Sequence, residues 1–108
     1  MAHRLRIEFS PDSKREFDML RVFDQRRVID AISEKLTINP DVQTRHKRCI
    51  GSETANFSYV PPLWELRVGT FRVFYEVDRG VAVVYIHAIR QKLPDKTTSE
   101  VLNEADGG

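Results

Sequence analysis

The chain has 108 residues, 41% hydrophobic and 31% charged, enough to bury one core. Its 17 Lys and Arg stand against 16 Asp and Glu, so bulk charge cannot coat a polyanion and any such site must be local. Cys49 is the only cysteine, which excludes an internal disulfide and the usual zinc spacings; no apolar run reaches the roughly 18 residues of a membrane helix, and MAHRLRIEF lacks a signal-peptide core, so a cytoplasmic location without a membrane partner is expected.

Leu5, Ile7 and Phe9 alternate with Arg4, Arg6 and Glu8, the period of a half-buried strand. Ser10-Pro11 then offers an N-cap and a first helical position, and Phe17, Met19 and Leu20 give a helical stripe reaching about Phe23. A second helix follows, with Asp24 as its cap and Val28, Ile29, Ile32 and Leu36 at helical spacing until Asn39-Pro40 ends it. Residues 41–62 lose periodicity and are read as a long loop carrying the basic cluster Arg45, His46, Lys47 and Arg48. Three strands over 63–68, 71–77 and 81–89 form an antiparallel meander. Thr97 and Glu100 stand at capping-box spacing, which predicts a short helix over 97–105 with the last glycines frayed. The expected fold is one α+β domain over 1–108, ordered βααβββ(α), with an antiparallel sheet and a two-helix hairpin packed on one face.

A two-residue Gly69-Thr70 turn pairs Val68 with Phe71, Leu66 with Val73 and Trp64 with Tyr75. All these pairs are apolar, whereas a slip of one residue would aim charges at the helices. On the opposite, exposed face Arg67 then stands across from Arg72. For the next hairpin, a two-residue Arg79-Gly80 turn pairs Val73 with Ile86 and sets His87 across from Arg72; a three-residue loop over 78–80 shifts the strand by one and turns His87 inward. Opposed arginines repel unless an acid neutralises them or an anion binds between them. Two readings stay open: a solvated face on which Glu65 and Glu76 balance Arg67 and Arg72, or a phosphate site with Glu65 and His87 as proton-transfer groups and Tyr85 as a stacking ring. On such an exposed face, loss of Arg72 should barely affect stability.

The stretch LWELRVGTFRVFYEVDRGVAVVYIHAIRQK resembles the C-terminal half of RelE/ParE-superfamily toxins of type II toxin–antitoxin systems, and the order of elements over about residues 4 to 92 is similar to that family's. The resemblance implies a RelE-like fold and a cognate antitoxin partner, for which an exposed sheet edge and a cationic face would suit an extended acidic peptide. For a RelE-like member it implies a ribosome-dependent messenger RNA endoribonuclease that uses no metal or other cofactor, with the ribose 2′-hydroxyl attacking the adjacent phosphate. Arg72 matches the strand arginine that stabilises that phosphate, and Lys92 a basic residue after the last strand. Leu63 and Glu65 replace lysines found in some RelE toxins, and no tyrosine follows Lys92; Glu65 as base and His87 as acid are substitutes by role. Arg67 would join Arg72 on the phosphate, and Arg45, Lys47 and Arg48 are either a solvated run or contacts to ribosomal RNA. Two alternatives remain: a ParE-like DNA gyrase inhibitor, and a non-catalytic member that only binds an antitoxin.

Overall fold

The computed structural model describes residues 4–104. Alternation builds β1 (Arg6–Phe9), which ends where Ser10 caps the next element. Ser10 Oγ accepts from the Ser13 N–H at 3.0 Å and Pro11 occupies the first turn, so α1 runs Pro11–Asp18. It stops short of the predicted Phe23. Helix α2 (Val22–Leu36) has Arg21 at its N-cap without a side-chain bond. Asp24, expected as the cap, lies inside the first turn and accepts from Arg21 at 3.2 Å, where its charge still complements the helix dipole. Asn39, at φ 53°, makes the left-handed turn that ends the hairpin.

The predicted loop over 41–62 contains a fifth strand, β2 (Lys47–Gly51), antiparallel to β3 (Leu63–Val68). Charged residues, common on edge strands, hid its alternation. The meander continues through β4 (Phe71–Asp78) and β5 (Val83–Gln91), and β1 joins β5 in parallel. The sheet order is β1-β5-β4-β3-β2, so the sheet is mixed where an antiparallel one was expected. Parallel pairing needs a long connection, and everything from α1 to β4 lies between these two strands in the chain. Helix α3 (Thr98–Leu102) carries the predicted Thr97–Glu100 capping box but is shorter than 97–105. The frayed glycines predicted at the end lie outside the described residues.

The β3–β4 hairpin has the predicted register, with Arg67 opposite Arg72. The β4–β5 hairpin does not. Asp78 pairs with Val83 across a four-residue loop, because Asp78 Oδ1 accepts from the Gly80 and Val81 N–H groups at 2.9 and 3.3 Å. Further along, Tyr75 pairs with Ile86 and Phe74 with Ala88, which leaves His87 as the extra residue of a β-bulge. Arg72 therefore faces Arg90, not His87.

Leu66, Val73, Tyr75 and Ile86 pack with Val28, Ile32 and Leu36 of α2 on the helix side. The other face, expected to be exposed, is largely covered. Leu63, Phe74, Ala88, Val101 and Leu102 form a second small core, flanked by Ala55, Phe57 and Tyr59. Each fully buried large apolar side chain contributes about 1.5–3 kcal/mol, so this layer pins α3 onto the sheet. The Asn56 N–H donates to the Leu102 carbonyl at 3.0 Å, tying the covering segment to α3.

Candidate functional site

Side chains alternate along β3, so Glu65 and Arg67 leave the sheet on the side away from α2, and pairing sets Arg72 of β4 beside them. Arg48 enters from β2, opposite Glu65. Lys92, Lys96, Thr97 and Thr98 come from the segment leading out of β5 into α3. These eight residues line a cleft of about 400 Å³. Five cations surround one carboxylate.

Glu65 is only 1% exposed. Its Oε1 lies 3.3 Å from Arg48 Nη2 and its Oε2 4.0 Å from Arg72 Nε, and that Oε2 has no hydrogen-bond partner among the described residues. An unsatisfied buried polar atom costs about 1–3 kcal/mol, so a donor brought by a ligand would be welcome there. Arg72 is 7% exposed and its Nη1 donates to the Gly69 and Phe71 carbonyls, each at 2.8 Å. Burial pushes its pKa down from the ordinary arginine value, Glu65 pulls it up, and Arg67 and Arg48 push it down further. It stays charged at neutral pH. Arg72 is therefore not on an exposed face, the premise on which its dispensability for stability was expected.

The structure brings together Glu65, Arg67, Arg72, Lys92 and Arg48 among the residues singled out in the sequence, and it separates the others from them. His87 Nε2 lies 2.7 Å from Glu76 Oε1, with the ring stacked on Phe57 at 5.6 Å, outside the cleft. Tyr85 sits between Glu76 of β4 and Glu8 of β1 and does not line the cleft either. Lys47 points away from solvent. Its Nζ donates to the Asn39 and Lys35 carbonyls at 2.8 and 3.3 Å, capping the end of α2, while burial and nearby Lys35 lower its pKa. That ammonium group is engaged with the end of α2 and lies outside the cleft. Arg45 is exposed beyond the cleft. Arg90, across from Arg72, is held by Glu16 at 2.8 Å and by the Val101 carbonyl at 2.9 Å, with its guanidinium over the Phe57 ring.

Sequence reasoning missed Lys96, Thr97 and Thr98. The signal was present: apolar Val101 and Leu102 follow the capping box, and burying them folds the segment back onto the sheet.

Residues 7–92 match the family described as the ParE toxin of the type II toxin–antitoxin system, parDE. The chain belongs to this family of toxins. The family lies in the RelE/ParE superfamily that the sequence resembles. Among solved structures, this toxin is similar to a chain of the RelBE2 toxin–antitoxin complex of Mycobacterium tuberculosis, with a TM-score of 0.67 and 19% identity over 83% of this chain and 93% of that one. It is also similar to a chain of the archaeal RelE–RelB complex of Pyrococcus horikoshii OT3, with a TM-score of 0.65 and 17% identity over 87% and 99%. At these identities the likeness is one of fold, and it matches the α+β architecture above. No curated protein sequence matches the toxin. Among its described residues, no helix is long and apolar enough to cross a membrane.

Proposed function

We propose that the toxin is a cytoplasmic, ribosome-dependent endoribonuclease that inhibits translation by cutting messenger RNA at the cationic cleft, without a metal. One observation carries this reading: Arg48, Arg67, Arg72, Lys92 and Lys96 converge around the buried, half-unpartnered Glu65. Attack of a 2′-hydroxyl on its neighbouring phosphate needs a base, cations for the crowded phosphate and an acid for the departing 5′-oxygen. Glu65 Oε2 accepts the hydroxyl proton. Arg67 and Arg72 hold the phosphate oxygens, and the ammonium groups of Lys92 and Lys96 replace His87 as the source of the proton for the leaving oxygen. The test is to induce the protein and map the ends of ribosome-bound messages. Arg67→Ala and Lys92→Ala should each reduce cutting, and unchanged cutting in both would overturn the assignment.

A ParE-like gyrase inhibitor is the second reading, favoured by the ParE description of the family and by the absence of any His or Tyr among the described residues that line the cleft. Inhibited supercoiling with intact messages would establish it. A cognate antitoxin, under either reading, would cover the cleft with an acidic segment. Co-expression of the neighbouring small gene's product should relieve toxicity.

A further inference from the structure

Arg48 and Arg72 both approach Glu65, but they are held differently. Arg72 is buried and fixed to two carbonyls of its own hairpin. Arg48 reaches in from the edge strand with a side chain 52% exposed, 3.3 Å from Glu65 Oε1 and 3.4 Å from Thr98 Oγ1. Charge-assisted bonds ordinarily run at about 2.7–2.9 Å, so both contacts are loose. One neighbour of Glu65 is a fixture; the other is free to leave. The carboxylate is correspondingly lopsided, since Oε1 has Arg48 and Oε2 has no hydrogen-bond partner.

We propose that Arg48 is a positioning residue that exchanges Glu65 for an incoming phosphate, coupling anion entry to proton uptake at Glu65 Oε2. This rests on the phosphate cleft of the proposed function and describes how that site would work. An oxyanion in the cleft draws the exposed guanidinium off Glu65 and sets a second negative charge beside a carboxylate already cut off from water. Both changes favour the neutral carboxyl. The charged groups around Glu65 are Arg48 from β2, Arg67 from its own strand, Arg72 from β4, and Lys92 and Lys96 from the segment after β5; among the described residues Glu65 is the one carboxylate lining the cleft. With a simple anion the proton comes from solvent, and with RNA it comes from the 2′-hydroxyl. Either way the new O–H at Oε2 donates to an anion oxygen. Proton uptake at Glu65 is thereby tied to phosphate in the cleft, which confines base catalysis to the occupied site.

Inorganic sulfate is a suitable probe, because it stays a dianion throughout the titration range of a carboxylate. The Glu65 carboxyl carbon is followed by NMR against pH in the full chain, with and without saturating sulfate, while cleft backbone amides report occupancy. Sulfate should raise the Glu65 midpoint by about one unit, a tenfold gain in proton affinity. Arg48→Gln should raise the midpoint without sulfate and shrink the further shift, Arg48→Lys should restore part of the parental behaviour, and Arg45→Gln should change neither midpoint. Cleft amides that saturate while the Glu65 midpoint stays put overturn the coupling but leave the phosphate cleft standing. No response to sulfate anywhere overturns both. A parental titration in folded Arg48→Gln overturns the exchange, and the parental measurement decides the coupling even where that variant does not fold.

Discussion

Two hairpins share strand β4, and different forces close them. The β3–β4 turn is two residues long, with Gly69 at φ 59°, and the pairing runs regularly from it. The two-residue turn and the apolar pairs flanking it set its register. The β4–β5 loop is four residues long, gathered by the Asp78 side chain, tethered by Arg79 to Asp41, with Ala82 at φ 57° and a bulge at His87 further along. Side chains set that one. The first hairpin presents Arg67 and Arg72 to the cleft, while the second presents Arg90 to a buried network with Glu16 and the Val101 carbonyl. The first hairpin leaves Arg67 to the cleft and divides Arg72 between the cleft and its own turn carbonyls; Arg90 of the other hairpin is committed to holding the fold.

The sharpest way to break this contrast is Arg72→Ala, because Arg72 belongs to both descriptions. The change should lower RNA cleavage about a hundredfold, as loss of a cation aimed at developing phosphate charge does. It should also lower stability by about 2–3 kcal/mol, since two carbonyls lose a charged donor and buried Glu65 loses a counter-ion. Urea unfolding measures the second and message mapping the first. Arg72→Lys keeps the charge but not the guanidinium geometry, so it should recover more stability than cleavage. Full cleavage by a folded Arg72→Ala variant would remove Arg72 from the site.

Substitutions in the turns should move stability in opposite directions. Gly69→Ala puts a Cβ into a left-handed position, costing about 1–2 kcal/mol, and that Cβ would lie 2.6 Å from Arg27 Nη2, a side-chain end that must shift. Ala82→Gly removes a similar strain but loosens the unfolded chain, so it should stabilise by no more than about 0.5 kcal/mol. Thermal unfolding of both variants is the check. Equal losses would mean that turn conformation is not what separates the hairpins.

The same contrast explains what was legible. A two-residue turn flanked by apolar pairs leaves one register, so the opposition of Arg67 and Arg72 was readable. Two additional loop residues and one bulged residue displace the other pairing by three, from His87 to Arg90, and no local pattern announces a bulge. Lys47 and Arg48 were equally hidden. Adjacent residues in a loop have no fixed sides, but on a strand they point oppositely, one beneath α2 and the other into the cleft. The helices, the meander and the family were legible because they rest on periodicity and on a long contiguous stretch. The cleft wall at Lys96 to Thr98 was only half legible, because Val101 and Leu102 announce that α3 docks but not where.

The smallest expected effect belongs to the tether of the second loop. Arg79 Nε donates to Asp41 Oδ2 at 3.1 Å and Nη2 donates to Oδ1, with the Arg79 side chain half exposed. That hydrogen bonding holds the Asp41 carboxyl below its ordinary value, against an opposing push from burial. A carboxyl depressed in the folded state gives stability that is fully present above its unfolded pKa of about 3.9 and lost as pH falls through the lower folded value. Asp41→Asn should therefore lower stability at pH 7 by less than about 1 kcal/mol, as befits a partly solvated pair. The gap should narrow as pH drops below about 4, and added salt should narrow it at neutral pH. Gly69→Ala should keep its penalty across the same pH range, because the guanidinium it displaces stays charged throughout. A gap between parent and Asp41→Asn that widens toward low pH would show that the second loop is not held by this pair, and the division between a turn-set and a side-chain-set hairpin would then rest on Asp78 alone.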